Sequence, residues 1–92
     1  MSVSVTLAPR LDTSAADNLG EQLAAITDEH VQLVGSAVEL LGGRCLEILI
    51  SFSHLAGIDA RRVELIDPSR AMIDDLRIFG LAPDDLCSGE AK

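Results

Sequence analysis

Trp and Tyr are absent from this 92-residue chain, and Phe52 and Phe79 are its only aromatic residues. A core without large rings has to be filled by Leu, Ile, Val and Ala. Cysteine is nearly as scarce. Cys45 and Cys87 are two in number and far apart, whereas a structural zinc site needs four ligands in paired spacing. No apolar run approaches the ~18–20 residues of a membrane span. The opening Met1-Ser2-Val3-Ser4-Val5 has neither the basic nor the apolar region of a signal peptide. The expectation is a cytoplasmic protein with reduced thiols and no membrane insertion. Basic residues are few as well: 7 Lys and Arg stand against 15 Asp and Glu, a net charge of −8. Nucleic acid is excluded as a partner, because its affinity comes from cations that neutralise phosphates. An anionic membrane surface is disfavoured for the same reason. The acidic surface serves solubility and suits a protein with a basic face.

What is present is aliphatic and regularly spaced. At this length the chain is expected to form one domain over residues 1–86, with a polar, frayed tail over 87–92. Val3 to Leu7 alternates apolar and polar residues and reads as a strand, stopped by Pro9. A helix follows, capped by Asp12 or by Ser14 with Asp17; the sequence does not choose. Ala15, Leu19, Leu23 and Ile26 form its apolar stripe. His30 to Val34 is a second strand, with inward alternation continuing through Val38 and Leu40. From Gly43 to about Ala56 the pattern is helical and apolar on more than half the circumference (Cys45, Leu46, Ile48, Leu49, Ile50, Phe52, Leu55), so this helix is expected to be the most buried. Gly57 fits its C-cap. Arg62 to Ile66 is the third strand. Asp67-Pro68-Ser69 then starts a helix, with Asp67 capping and Pro68 in the first turn. Met72 or Ile73, Leu76 and Phe79 give this helix its inner stripe, and Gly80 ends it. The order strand-helix-strand-helix-strand-helix predicts an α/β fold, a small sheet with helices packed mainly on one face.

Gly35 to Leu49 is the most informative stretch: a strand, a Gly42-Gly43 turn, and a helix opening Arg44-Cys45-Leu46. Together with Leu11-Asp12-Thr13-Ser14 and with Val63 to Ser69 followed by Phe79-Gly80-Leu81, it resembles the STAS family, small domains best known as anti-sigma-factor antagonists. The resemblance covers roughly Val3 to Leu81. It implies a non-enzymatic protein-interaction module in bacterial signalling. Family members place an acidic residue and a phosphorylatable hydroxyl just before this helix; Gly42 and Gly43 stand there instead, so the resemblance implies binding without the serine switch. Family members also open with an extra hairpin strand, for which this chain starts late. The Leu41-Gly42-Gly43 variant with its Cys45-Leu46 start is similar to short STAS proteins of chemotaxis and histidine-kinase signalling. The implied partner is therefore a chemotaxis-type histidine kinase. A serine-kinase-like anti-sigma factor is the alternative, and a transporter-accessory role a further one. The implied contact surface comprises Ser36, Glu39, Gly42, Gly43 and Arg44, with Asp12 and Thr13 at its rim.

The same residues have plainer readings. Ser36 is expected to bond the backbone of its turn rather than to replace the missing phosphoacceptor, and Gly42-Gly43 serves a sharp turn and close packing. Cys45 sits at a helix N-terminus, where a thiolate is favoured, yet its apolar neighbours make it a core thiol. His30 and His54 form no recognisable nucleophile–base order. Asp17, Glu21, Asp28 and Glu29 read as a solvated face without EF-hand order, and the Gly-Gly turn lacks the spacing and lysine of a phosphate cradle. No catalytic residue, metal or cofactor is expected; an exposed sheet edge leaves room for a homodimer.

Overall fold

A computed structural model describes residues 2–88. Three strands, β1 (Ser2–Thr6), β3 (His30–Val34) and β5 (Arg62–Ile66), form one parallel sheet in the order β1-β3-β5. A second, two-residue parallel ladder joins β2 (Arg10–Leu11) to β4 (Leu40–Leu41). The helices are α1 (Ala16–Ala24), α2 (Gly43–Ile58) and α3 (Arg70–Ile78), with short 3₁₀ turns at Thr13–Ala15 and Pro83–Leu86. The fold is mixed α/β, with three helices and a small parallel sheet.

Period-two alternation separates the sheet faces. Val5, Val31, Leu33 and Val63 are buried in one cluster with Leu19 and Leu23 of α1, Cys45, Leu46 and Leu49 of α2, and Met72 and Leu76 of α3. The opposite face is polar and at most half-buried: Ser4, Gln32 and Glu64 lie in one row across the three strands. There the Ser4 hydroxyl donates to Gln32 Oε1 at 3.0 Å, and Glu64 holds His30 Nε2 and Arg62, both at 2.8 Å.

Several local expectations change. Asp12, not Ser14, is the cap: its Oδ1 accepts from Ala15 N at 3.2 Å and from the Ser14 hydroxyl at 2.7 Å. Leu41 is buried and Leu40 is 37% exposed, because the chain turns at Ser36-Ala37 and the alternation of β3 does not carry into β4. On α2 the buried stripe is Cys45, Leu46, Leu49, Ser53 and Ala56, whereas Leu55 and Ile58 are 60% and 68% exposed. A single layer covers only one side of a helix whose apolar residues spread over more than half its circumference. That helix runs through Gly57 to Ile58. Its reversal falls on Ala60, at φ 61°. Asp67 does not cap α3 and Pro68 precedes its first turn; Asp67 takes φ 49°, and Ser69 accepts from Met72 N at 3.0 Å as the cap. The chain can be followed to the end of the expected domain and two residues beyond it. Leu86 is fully buried, its carbonyl accepting from the Ser53 hydroxyl at 2.6 Å. Ser88 pairs with Val63. The rest of the expected tail, residues 89–92, lies outside the described residues.

Candidate functional site

Parallel strands deliver their following loops to one end of the sheet, and the β2–β4 ladder ties two of those loops together. Glu39 N and Leu40 N both donate to Pro9 O, at 2.7 and 3.1 Å, and Gly42 N donates to Leu11 O at 2.8 Å. Asp12 is thereby brought against the start of α2, where the Cys45 thiol donates to its carbonyl at 3.3 Å. A side chain at Gly42 would crowd this junction, since its β-carbon would stand 3.2 Å from Leu11 O. Gly42 is the N-cap of α2 and gives no side-chain cap. Gly43, the first helical residue, is exposed, and a β-carbon there would meet the Phe79 ring at 3.6 Å, an ordinary contact. From the other side, Asp75 Oδ2 accepts from Leu41 N at 2.9 Å, fastening α3 to β4.

Of the expected surface residues, Asp12, Glu39, Gly42, Gly43 and Arg44 therefore share this junction, and Thr13 begins the 3₁₀ turn beside it. Ser36 belongs to a different attachment. Its turn is closed by Val38 N to Gly35 O at 3.2 Å and is held to α3 by Ser69 N, which donates to Gly35 O at 2.9 Å. The Ser69 hydroxyl donates in turn to Val38 O. Ser36 is exposed, and its hydroxyl makes no hydrogen bond among the described residues, so the turn is held by backbone and by Ser69 rather than by Ser36. Phe79, expected in the inner stripe of α3, is instead 47% exposed beside Gly43, and Ile78 is 79% exposed. Leu40, Ile78 and Phe79 were not legible as surface residues from apolar spacing alone. The available signal was Ile78, an apolar side chain off the Met72–Leu76 stripe.

The electrostatics are local. The Ser14 hydroxyl lowers the Asp12 pKa, helped by Ala15 N–H and Arg10 and opposed by burial. Burial raises the Cys45 thiol, and the Asp12 charge raises it further. The thiol is fully buried, so the helix start does not produce a reactive thiolate there. A shallow groove of ≈ 340 Å³ runs along Arg44, Glu47, Ile48 and Ser51. A second, of ≈ 420 Å³, lies toward the far end of α2 between His54, Ile58, Asp85 and Cys87. Among the described residues, no group of three or more His, Cys, Asp and Glu side chains is placed to hold a metal ion, and no helix is long and apolar enough to cross a membrane. No protein-family model matches the chain, and no curated protein matches it.

Proposed function

We propose that this chain is a non-enzymatic interaction module of the STAS type, cytoplasmic, that binds a chemotaxis-type histidine kinase through the junction of β4, the start of α2 and the end of α3. The observation that carries the reading is the bare start of α2. Gly42 and Gly43 present backbone rather than side chains, the half-exposed Phe79 ring stands beside Gly43, and Leu40 on β4 and Ile78 on α3 are exposed as well. A low centre beside an exposed aromatic ring suits a protein docking face. Glu39 and Arg44, both exposed, supply polar pairing at its edge. On the STAS pattern the phosphoacceptor position is Gly43, which has no hydroxyl to modify, so docking here is constitutive rather than switched.

Gly43→Glu tests the surface without threatening the fold. The added β-carbon has ordinary space, and a carboxylate in the first turn of a helix is favoured by its dipole. In a calorimetric titration against a purified chemotaxis-type histidine kinase, the variant should bind at least about tenfold more weakly than the parent chain. Ala24→Glu, on the exposed side of α1, should not change affinity. An unchanged Kd for Gly43→Glu sinks the assignment of this face. Binding to a serine-kinase-like anti-sigma factor, with none to the kinase, transfers the reading to the antagonist class.

A further inference from the structure

The two edges of the main sheet are finished differently. A strand edge presents a row of backbone donors and acceptors that must be covered, blunted or paired. At the β5 edge they are covered. Val63 N donates to Ser88 O at 3.0 Å, Ser88 N donates to Val63 O at 2.9 Å, and Leu65 N donates to Cys87 Sγ at 3.4 Å. Both outward-turned residues of that strand are therefore engaged by the segment following α3.

At the β1 edge the phase is set by Leu7 N, which donates to Val34 O at 2.9 Å. By strand alternation, Val3 and Val5 also turn their backbone groups toward β3, and Ser2, Ser4 and Thr6 turn theirs outward. Among the described residues nothing pairs with them. Nor is this edge blunted: Ser2-Val3-Ser4-Val5-Thr6 contains no charge, proline or glycine. Its register with β3 is unbroken by a bulge.

We propose that β1 pairs antiparallel with β1 of a second copy of this chain, about a two-fold axis through Ser4, joining the two three-stranded sheets into one. This register is the one that uses the whole strand. Ser4 faces its own equivalent and Ser2 faces Thr6, so all outward groups are consumed in about six N–H···O=C bonds. Val3 faces Val5 on the helix-covered side, and Val3, only half-buried in the single chain, gains cover from it. The self-complementarity of the strand selects a second copy as occupant. No charged side chain of β1 meets a like charge across the axis, and the mutual repulsion of two acidic molecules is screened beyond roughly 8 Å at physiological salt. The covered β5 edge then stops the assembly at two copies, giving a closed dimer rather than a growing ribbon.

Sedimentation equilibrium on the full chain tests this, with Ser4→Lys and Ser4→Pro beside the parent. Lysine at this exposed position leaves the core untouched, losing only the bond to Gln32, and sets two ammonium groups opposite each other across the axis. Proline at this position deletes the outward N–H nearest the axis, one of the three on the strand. The parent should approach twice the 9.7 kDa chain mass below about millimolar concentration, with association at least about tenfold weaker in Ser4→Lys. The Ser4 and Thr6 amides should exchange more slowly as concentration rises. A parent that stays at single-chain mass throughout this range overturns the proposal, as does a dimer undiminished by Ser4→Lys with its circular dichroism unchanged. Gly43→Glu, at another part of the surface, should leave the association unaffected, which separates this result from the test of kinase binding.

Discussion

A β-carbon at Gly35 would stand 2.7 Å from Met72 Sδ and 3.2 Å from Pro68 Cα, where Met72 is fully buried and the proline backbone is held by its neighbours. Gly35→Ala is therefore an overpacking change, and denaturant unfolding should show a loss of about 1–3 kcal/mol. Two carboxylates contribute to the acid limb of stability. Glu64 is lowered chiefly by its hydrogen bond from His30, then by Arg62, against an opposing effect of burial; Asp12 is lowered chiefly by the Ser14 hydroxyl. A folded-state pKa below the unfolded one contributes stability above the unfolded value, and that contribution is lost as pH falls through the folded value. With unfolded carboxyls near about 3.9 and 4.3, the denaturation midpoint should hold from pH 7 to about 5 and then fall. Glu64→Gln should make that fall shallower.

At the scale of elements, α2 and α3 end in the same way with different residues. In α3, Gly80 at φ 78° follows the C-cap Phe79; Leu81 N donates to Leu76 O and Gly80 N to Arg77 O, both at 2.9 Å. In α2, Ala60 at φ 61° follows the C-cap Asp59; Arg61 N donates to Ala56 O at 2.7 Å and Ala60 N to Gly57 O at 3.1 Å. Both are Schellman closures, but an alanine in the left-handed region carries a penalty that glycine escapes. Ala60→Gly should raise stability by about 0.5–1 kcal/mol once the greater freedom of glycine in the unfolded chain is subtracted. A calorimetric Tm at or below that of the parent would contradict this.

This closure also marks how far the sequence could be read. Gly57 was the obvious stop for α2, yet the helix passes it, because Arg61 secures the turn beyond. Its side chain donates to Asp28 O at 2.8 Å and Ile26 O at 3.0 Å, and its guanidinium lies 5.6 Å from the centre of the Phe52 ring. Such long-range anchors leave no periodic trace. β3 and β5 were legible to the residue, since alternation over a half-buried sheet is a local signal. The junction of Asp12 with Gly42 has no mark in the local periodicity. What builds it is the β2–β4 ladder, whose two-residue strands are too short to show a period.

For the molecule as a whole, the unlike faces of the sheet and its unlike edges matter more than any single contact. One face is the aliphatic core and the other a polar surface, an uncommon exposure for an all-parallel sheet, which usually has both faces covered. The topology has a further consequence, for how the chain reaches this state. Neither ladder of the main sheet is a hairpin. β1 meets β3, and β3 meets β5, only after an intervening helix has been laid down. Loop-closure entropy is thus lost before either pairing returns contacts, and no two-stranded nucleus forms from neighbouring residues alone. During synthesis β3 waits for its second neighbour until Arg62–Ile66 has emerged, and the outer side of β5 stays open until Ser88 arrives. The sheet and the cover of its β5 edge can therefore be complete only once the chain has been made as far as Ser88.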